Sequence, residues 1–301
     1  MTTLGTTQNE TPVFFPADGE MLFGILSEPI ADPKGVAIIA VPGGGWIPST
    51  HRNGMWVRLA RALAADGYHM LRFDWHGVGE SSGLLEHYEL SEPFTGDIAA
   101  AADYLTSIGM TRIVLVGTCF GGRTVNASTA QVTNLAGLAL FSAPLRDKPK
   151  AEDLQKHSLA WFIKQALQPK VIKGLFEKRR RRTYMRLLKL KTQSIVNKIL
   201  RRSTNRNTTS SRPQIASTAY LQPLDEVTAN GIPVLLVYGD GDDYYPDFVN
   251  ARDRGQLGEI MERAGEKMTS IVVPGDLHSF ASLESQDLTV ATVREWLAKL
   301  F

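Results

Sequence analysis

Residues 113–122, Ile-Val-Leu-Val-Gly-Thr-Cys-Phe-Gly-Gly, constrain this chain more than any other stretch. The opening run is apolar and β-branched, about the length of a buried strand. A glycine-rich turn follows, and residues 123–131 can continue as a helix. Cys119 stands at the centre of the turn. Its side chain points out of such a turn only if its backbone is held in a strained conformation. Gly117 and Gly121 remove side chains that would collide with the packed strand and helix. The amide of Phe120 then faces the space where an oxyanion would form. A buried cysteine is more often an inert small apolar residue, but such a residue has no reason to occupy this turn. Cys119 is the single cysteine among 301 residues, so neither an internal disulfide nor a multi-cysteine metal site is on offer.

The strand, Gly-Thr-Cys-Phe-Gly turn and helix resemble the nucleophile elbow of the α/β-hydrolase superfamily, whose motif is usually Gly-x-Ser-x-Gly. The departure is Cys119 at the serine position. The resemblance implies a mostly parallel central sheet flanked by helices, with a helical lid inserted. The rest of the chain reads accordingly. Residues 13–16 and 21–26 predict two strands joined at Ala17-Asp18-Gly19. Residues 35–41 predict a buried strand that ends at Pro42-Gly43-Gly44-Gly45. This run sits where the superfamily carries the second half of its oxyanion hole, usually His-Gly-Gly-Gly. The resemblance makes Gly44 the donor, with Gly45 close behind. Residues 55–65 have helical spacing and stop at Gly67. Residues 68–74 predict a strand running into Trp75-His76-Gly77-Val78-Gly79-Glu80-Ser81. There the resemblance assigns Asp74, His76 and Ser81 to loop structure, with His76 able to approach the pocket. Residues 96–108 predict an amphipathic helix with Ile98, Ala101, Ala102 and Leu105 inward. Residues 135–141 predict the next strand.

After residue 145 the strand pattern stops. The expected division is a core of residues 1–145 and 226–301 with a basic helical lid at 146–225. Between Lys170 and Arg212 the single acid is Glu177, against Lys178, Arg179, Arg180, Arg181, Arg182, Arg186, Lys189 and others. Such a patch fits a solvated helix face. It equally fits a docking site for an acyl carrier protein or the phosphates of coenzyme A. An amphipathic helix on anionic lipid ranks lower. Nucleic acid ranks last, because no recognition motif accompanies the charge.

The remaining site residues follow the superfamily's chain order of nucleophile, acid, base. A strand at 234–238 ends at Gly239-Asp240-Gly241-Asp242-Asp243. The resemblance makes Asp242 the acid, with Asp240 and Asp243 as alternatives and turn formation as their structural role. His278 lies in the loop after the last predicted strand, 268–273, where the superfamily places its base. Residues 290–300 predict a closing helix. The expected triad is therefore Cys119, His278 and Asp242, with Phe120 and Gly44 as oxyanion donors. A nearby imidazolium and a helix N-terminus lower a thiol's pKa, so a thiolate is expected.

The formal net charge is +2, so the whole chain is not a polyanion binder. No window approaches the roughly 20 apolar residues of a membrane span, and residues 1–11 lack a signal pattern, so a cytoplasmic enzyme is expected. No metal ligand cluster or dinucleotide fingerprint implies a cofactor. A cysteine nucleophile points to acyl transfer through a thioester intermediate, with a small activated acyl compound as substrate. The resemblance extends to stand-alone thioesterase-like members of polyketide and related pathways. It also extends to dienelactone hydrolases, which use cysteine in this fold on esters and lactones. A third relation is to lyases of tetronate-type pathways that eliminate a carboxylate such as acetate. A binding module without turnover is the non-enzymatic alternative.

Overall fold

The strand that precedes Cys119 has no face open to water. In the computed structural model, β5 (Ile113–Thr118) is buried at all six positions. A run with no polar alternation suits a parallel strand covered on both sides. The structure describes residues 9–147, 215–278 and 280–301. The predicted helices of the basic segment, and with them the carrier-protein and coenzyme A expectation, lie outside the described residues.

The sheet has eight strands in the order β1-β2-β4-β3-β5-β6-β7-β8. They are β1 (Glu10–Ala17), β2 (Glu20–Ser27), β3 (Ala37–Val41), β4 (His69–Phe73), β5, β6 (Leu135–Phe141), β7 (Val234–Gly239) and β8 (Met268–Val273). β1 and β2 form an antiparallel hairpin, β2 pairs antiparallel with β4, and every other pairing is parallel. The hairpin turn is Asp18-Gly19, both at positive φ (48° and 89°), the geometry a two-residue loop needs to match strand twist.

Helices cover both faces. On one side lie α1 (Met55–Ala65) and α7 (Leu283–Leu300), burying Trp56, Leu59, Leu63 and Leu297. α1 stops at Gly67, whose φ of 89° lets the Tyr68 amide reach back to the Leu63 carbonyl at 3.0 Å, an ending that L side chains resist. On the other side lie α2 (Thr95–Ser107), α3 (Cys119–Ala127), α4 (Thr218–Ala229), α5 (Tyr245–Arg254) and α6 (Gln256–Ala264). Ile98, Ala101, Ala102 and Leu105 face inward from α2.

The chain divides into one unit of residues 1–147 and 212–301 and a second of residues 148–211. The expected lid boundary at residue 225 therefore needs correction. It falls inside α4, whose Tyr220, Leu221, Leu224 and Val227 are buried in the core. Arg123 of α3 fastens the stems on either side of the insertion. Its guanidinium donates to Ser217 Oγ at 3.1 Å and to the Asp147 carboxylate, and lies over the Tyr220 ring. The Ser217 amide donates to the Leu145 carbonyl at 2.8 Å.

Candidate active site

Cys119 sits at the junction of β5 and α3 with φ 49°, in the left-handed region. For a residue with a Cβ this costs about 1–2 kcal/mol, and close packing on three sides holds it there. A Cβ at Gly121 would lie 2.3 Å from the Pro42 carbonyl oxygen, one at Gly117 2.6 Å from the Gly121 carbonyl, and one at Gly122 2.9 Å from Ala143 Cβ. The glycines thus let α3 rest directly on the ends of β3, β5 and β6.

The loop after β8 brings His278 to this turn, with Nε2 3.1 Å from Cys119 Sγ. Asp242 follows β7 and is buried, whereas Asp240 and Asp243 are exposed. Asp240 accepts from the Gly275 amide at 2.7 Å, a loop-closing role. The Asp242 carboxylate accepts from the Gly239 amide (2.6 Å), the Leu277 amide (2.7 Å), the His278 amide (2.9 Å) and the Ser142 hydroxyl. Among the described residues none of its hydrogen bonds reaches the imidazole ring. Asp242 therefore orients His278 through the backbone of the loop that carries it. Burial raises the Asp242 carboxyl above its ordinary range, while donation from Ser142 and Gly239 pulls it back.

Two observations bear on the expected chemistry. The first concerns the thiolate. Burial pushes the Cys119 thiol up to about 11, against the lowering by the Tyr244 hydroxyl and the Phe120 amide. Desolvation of the charged form outweighs both. The sulfur therefore rests as a thiol beside His278. The second concerns the oxyanion donors. The Phe120 amide donates to the Gly43 carbonyl at 2.8 Å, so it is engaged in this structure. Gly44 accepts from the Ile47 amide through its carbonyl at 3.1 Å. A Cβ at the neighbouring Gly45 would lie 2.6 Å from the Tyr88 ring, which packs edge-on against Phe120 with centroids 4.7 Å apart.

Asp74, His76 and Ser81 have structural work. Asp74 accepts from the Ser49 amide at 2.5 Å and the Glu80 amide at 3.3 Å. Ser81 donates to the Asp74 carbonyl at 2.7 Å and accepts from the Phe23 amide at 2.9 Å. His76 pairs with buried Asp97, Nδ1 to Oδ2 2.9 Å.

The sequence did not single out Ser142 or Tyr244. Ser142 follows β6 at φ 45° and holds Asp242. Tyr244 follows β7 and places its hydroxyl 3.9 Å from Cys119 Sγ. Both stand just past strand C-termini, where open α/β sheets assemble their sites. That position was the available signal. Among the described residues no group of three or more His, Cys, Asp or Glu is placed to hold a metal, and no helix is long and apolar enough to cross a membrane.

Comparison with known proteins agrees with this architecture. Solved structures share the fold at low identity. An esterase of Pyrococcus furiosus, Pf2001, superposes with a TM-score of 0.61 at 13% identity, covering 98% of this chain and 94% of that one. DcsB, solved in complex with its substrate analogue, gives 0.60 at 15% identity, covering 97% and 99%. Est1E of Butyrivibrio proteoclasticus, solved with ferulic acid bound, gives 0.55 at 18%, covering 96% and 98%. No curated protein matches the chain significantly by sequence. The family model described as "Alpha/beta hydrolase family" matches residues 38–292. An elbow turn between β5 and α3, a mostly parallel sheet covered on both faces and this match over most of its length agree: the chain belongs to the alpha/beta hydrolase family and is, by that membership, a hydrolase-like enzyme.

Proposed function

We propose that the chain transfers activated acyl groups, thioesters in particular, through Cys119, His278 and Asp242. The observation that carries this is the 3.1 Å contact between the Cys119 sulfur and His278 Nε2 across a left-handed turn. Because the sulfur rests as a thiol, His278 acts as general base. It takes the thiol proton as sulfur attacks the acyl carbon. The substrate's own carbon–sulfur bond then breaks, and His278 returns the proton to the departing thiolate. The acyl group is left on Cys119 as a thioester, so the exchange is close to isoenergetic and the group stays activated for water, an alcohol, an amine or a thiol. Asp242 fixes the loop that presents the ring.

Negative charge on the acyl oxygen needs donors, and the Phe120 amide is engaged by Gly43 at rest. Rotation of the Gly43–Gly44 peptide plane would free that amide and turn the Gly44 N–H toward the same space. An oxyanion-hole donor contributes about 3 kcal/mol to the transition state.

The test is intact-protein mass spectrometry of wild type and Cys119→Ala with a panel of acyl-thioesters. Wild type should gain the acyl mass and the variant should not. An unmodified wild-type protein with unconsumed thioester sinks the proposal. Product masses from ester and acetylated substrates separate the remaining reactions. Hydrolysis adds water, transfer moves the acyl group, and elimination leaves an alkene.

A further inference from the structure

We propose that Tyr244 is a further catalytic residue, whose hydroxyl donates a hydrogen bond to the Cys119 sulfur when that sulfur carries negative charge. This rests on the reading of Cys119 as the nucleophile.

The turn after β7 delivers two groups to the site. Asp242 goes behind the His278 loop, and Tyr244, two residues on, reaches the sulfur. The Asp242 amide donates to the Gly239 carbonyl and the Tyr245 amide to the Asp242 carbonyl, both at 3.1 Å. Tyr244 itself is the N-cap of α5. Its backbone is therefore held between a strand end and a helix start. Its ring meets the His278 ring edge-on, 5.5 Å between centroids at 88°. Its oxygen lies 3.9 Å from Cys119 Sγ, within hydrogen-bond reach of a sulfur. Among the described residues the nucleophile thus has two polar side-chain partners, His278 to take its proton and Tyr244 to meet the charge that remains.

A hydroxyl suits that second role because it keeps its proton. Burial, with the neighbouring thiol adding to it, holds Tyr244 well above the ordinary tyrosine range, and Asp243 and Tyr88 act in the same direction. Tyr244 is therefore a donor at any working pH. The thiol proton passes from Sγ to Nε2, and no proton leaves the phenol. Charge appears on sulfur twice, once as it attacks and once as the acyl group departs, so one fixed donor serves both half-reactions. Among the described residues His278 and Tyr244 touch the sulfur, while burial and the Asp242 charge raise its pKa and the Phe120 amide lowers it.

The test uses the full chain and iodoacetamide, for which Cys119 is the single thiol. Tyr244→Phe keeps the ring against His278 and deletes the oxygen. Its alkylation profile between pH 6 and 11 should move up by about one unit, making alkylation about tenfold slower at any pH on the rising limb. Tyr244→Leu should shift it by the same amount, and Tyr245→Phe should leave it in place. A Tyr244→Phe profile that superimposes on wild type overturns the proposal. So does a shift seen with leucine alone, which would assign the effect to the ring. If thioesters leave no adduct on wild-type Cys119 while the alkylation profile still moves, the acyl-transfer reading falls and the role of Tyr244 in stabilising the thiolate stands.

Discussion

Gly121→Ala should cripple this protein through geometry alone. The added methyl would lie 2.3 Å from the Pro42 carbonyl oxygen, 2.9 Å from the Val41 oxygen and 3.1 Å from the Pro42 carbon. All three are backbone atoms at the end of β3 and cannot rotate aside. Restoring ordinary contact requires α3 to retreat by about 1 Å. Overpacking of this kind costs about 1–3 kcal/mol, and the rigid partners put the expected value at about 3. For a domain of roughly 200 residues that lowers Tm by about 6–12 °C. The retreat also carries Cys119 away from His278, whose Nε2 now lies at 3.1 Å. A displacement of about 1 Å costs about 100-fold in rate. Thermal melts and acylation rates on the same preparation check both numbers. Gly122→Ala supplies an internal comparison, because its methyl would meet Ala143 Cβ at 2.9 Å, a side chain that can be removed. Ala143→Gly should therefore recover part of the loss at 122, with a coupling of about 1 kcal/mol, and none at 121. A Gly121→Ala protein that melts and acylates like wild type refutes the close-packing account of the turn.

Two further outcomes follow from buried polar groups. Ser142→Ala removes a hydroxyl donor to Asp242, a bond to a charged acceptor worth about 1.5–3 kcal/mol. It should lower Tm, and it should move the acid limb of the acylation profile to higher pH, because Ser142 holds the Asp242 carboxyl down. An unmoved limb would show that Ser142 does not govern that carboxyl. Burial holds Asp97 above its ordinary range, with the His76 amide and ring pulling it back. The folded state then binds more protons than the unfolded one. Stability relative to Asp97→Asn should fall as pH rises from the unfolded value, about 3.9, through the higher folded value. Urea titrations from pH 4 to 7 that show parallel stabilities for the two proteins would contradict this.

The residues that the sequence made legible are those whose neighbours along the chain restrict them. The elbow announces itself because glycine at 117, 121 and 122 is a packing requirement, and each contact partner is backbone or a core methyl. The β3, β5 and β7 runs read as strands because both faces are apolar. Helices were harder where the buried face is thin or polar. α5 buries Asp247, Phe248 and Ala251, too few apolar side chains to reveal a period. α4 carries Pro223 in its interior, which argues against a helix until the packing of Tyr220 and Leu224 overrides it. α7 begins at Leu283 rather than 290 because Ser282 caps it, accepting from the Ser285 amide at 3.1 Å, while Ser285, Gln286 and Thr289 disguise the buried face of its first turns. The state of the site was not legible at all. Whether burial or the imidazole controls the thiol, and where the Phe120 amide points, depend on groups far apart in sequence.

The guanidinium of Arg123 bears on how this chain can change. It stands one helical turn beyond Cys119 and grips the Asp147 and Ser217 side chains together, while the Ser217 amide joins the Leu145 carbonyl. The two core residues between which the insertion leaves and returns are therefore tied to one side chain. The closure penalty of a loop grows only slowly with its length. Stretches of quite different size and chemistry can therefore join those two residues while the strand ends that hold the sulfur and its imidazole stay as they are.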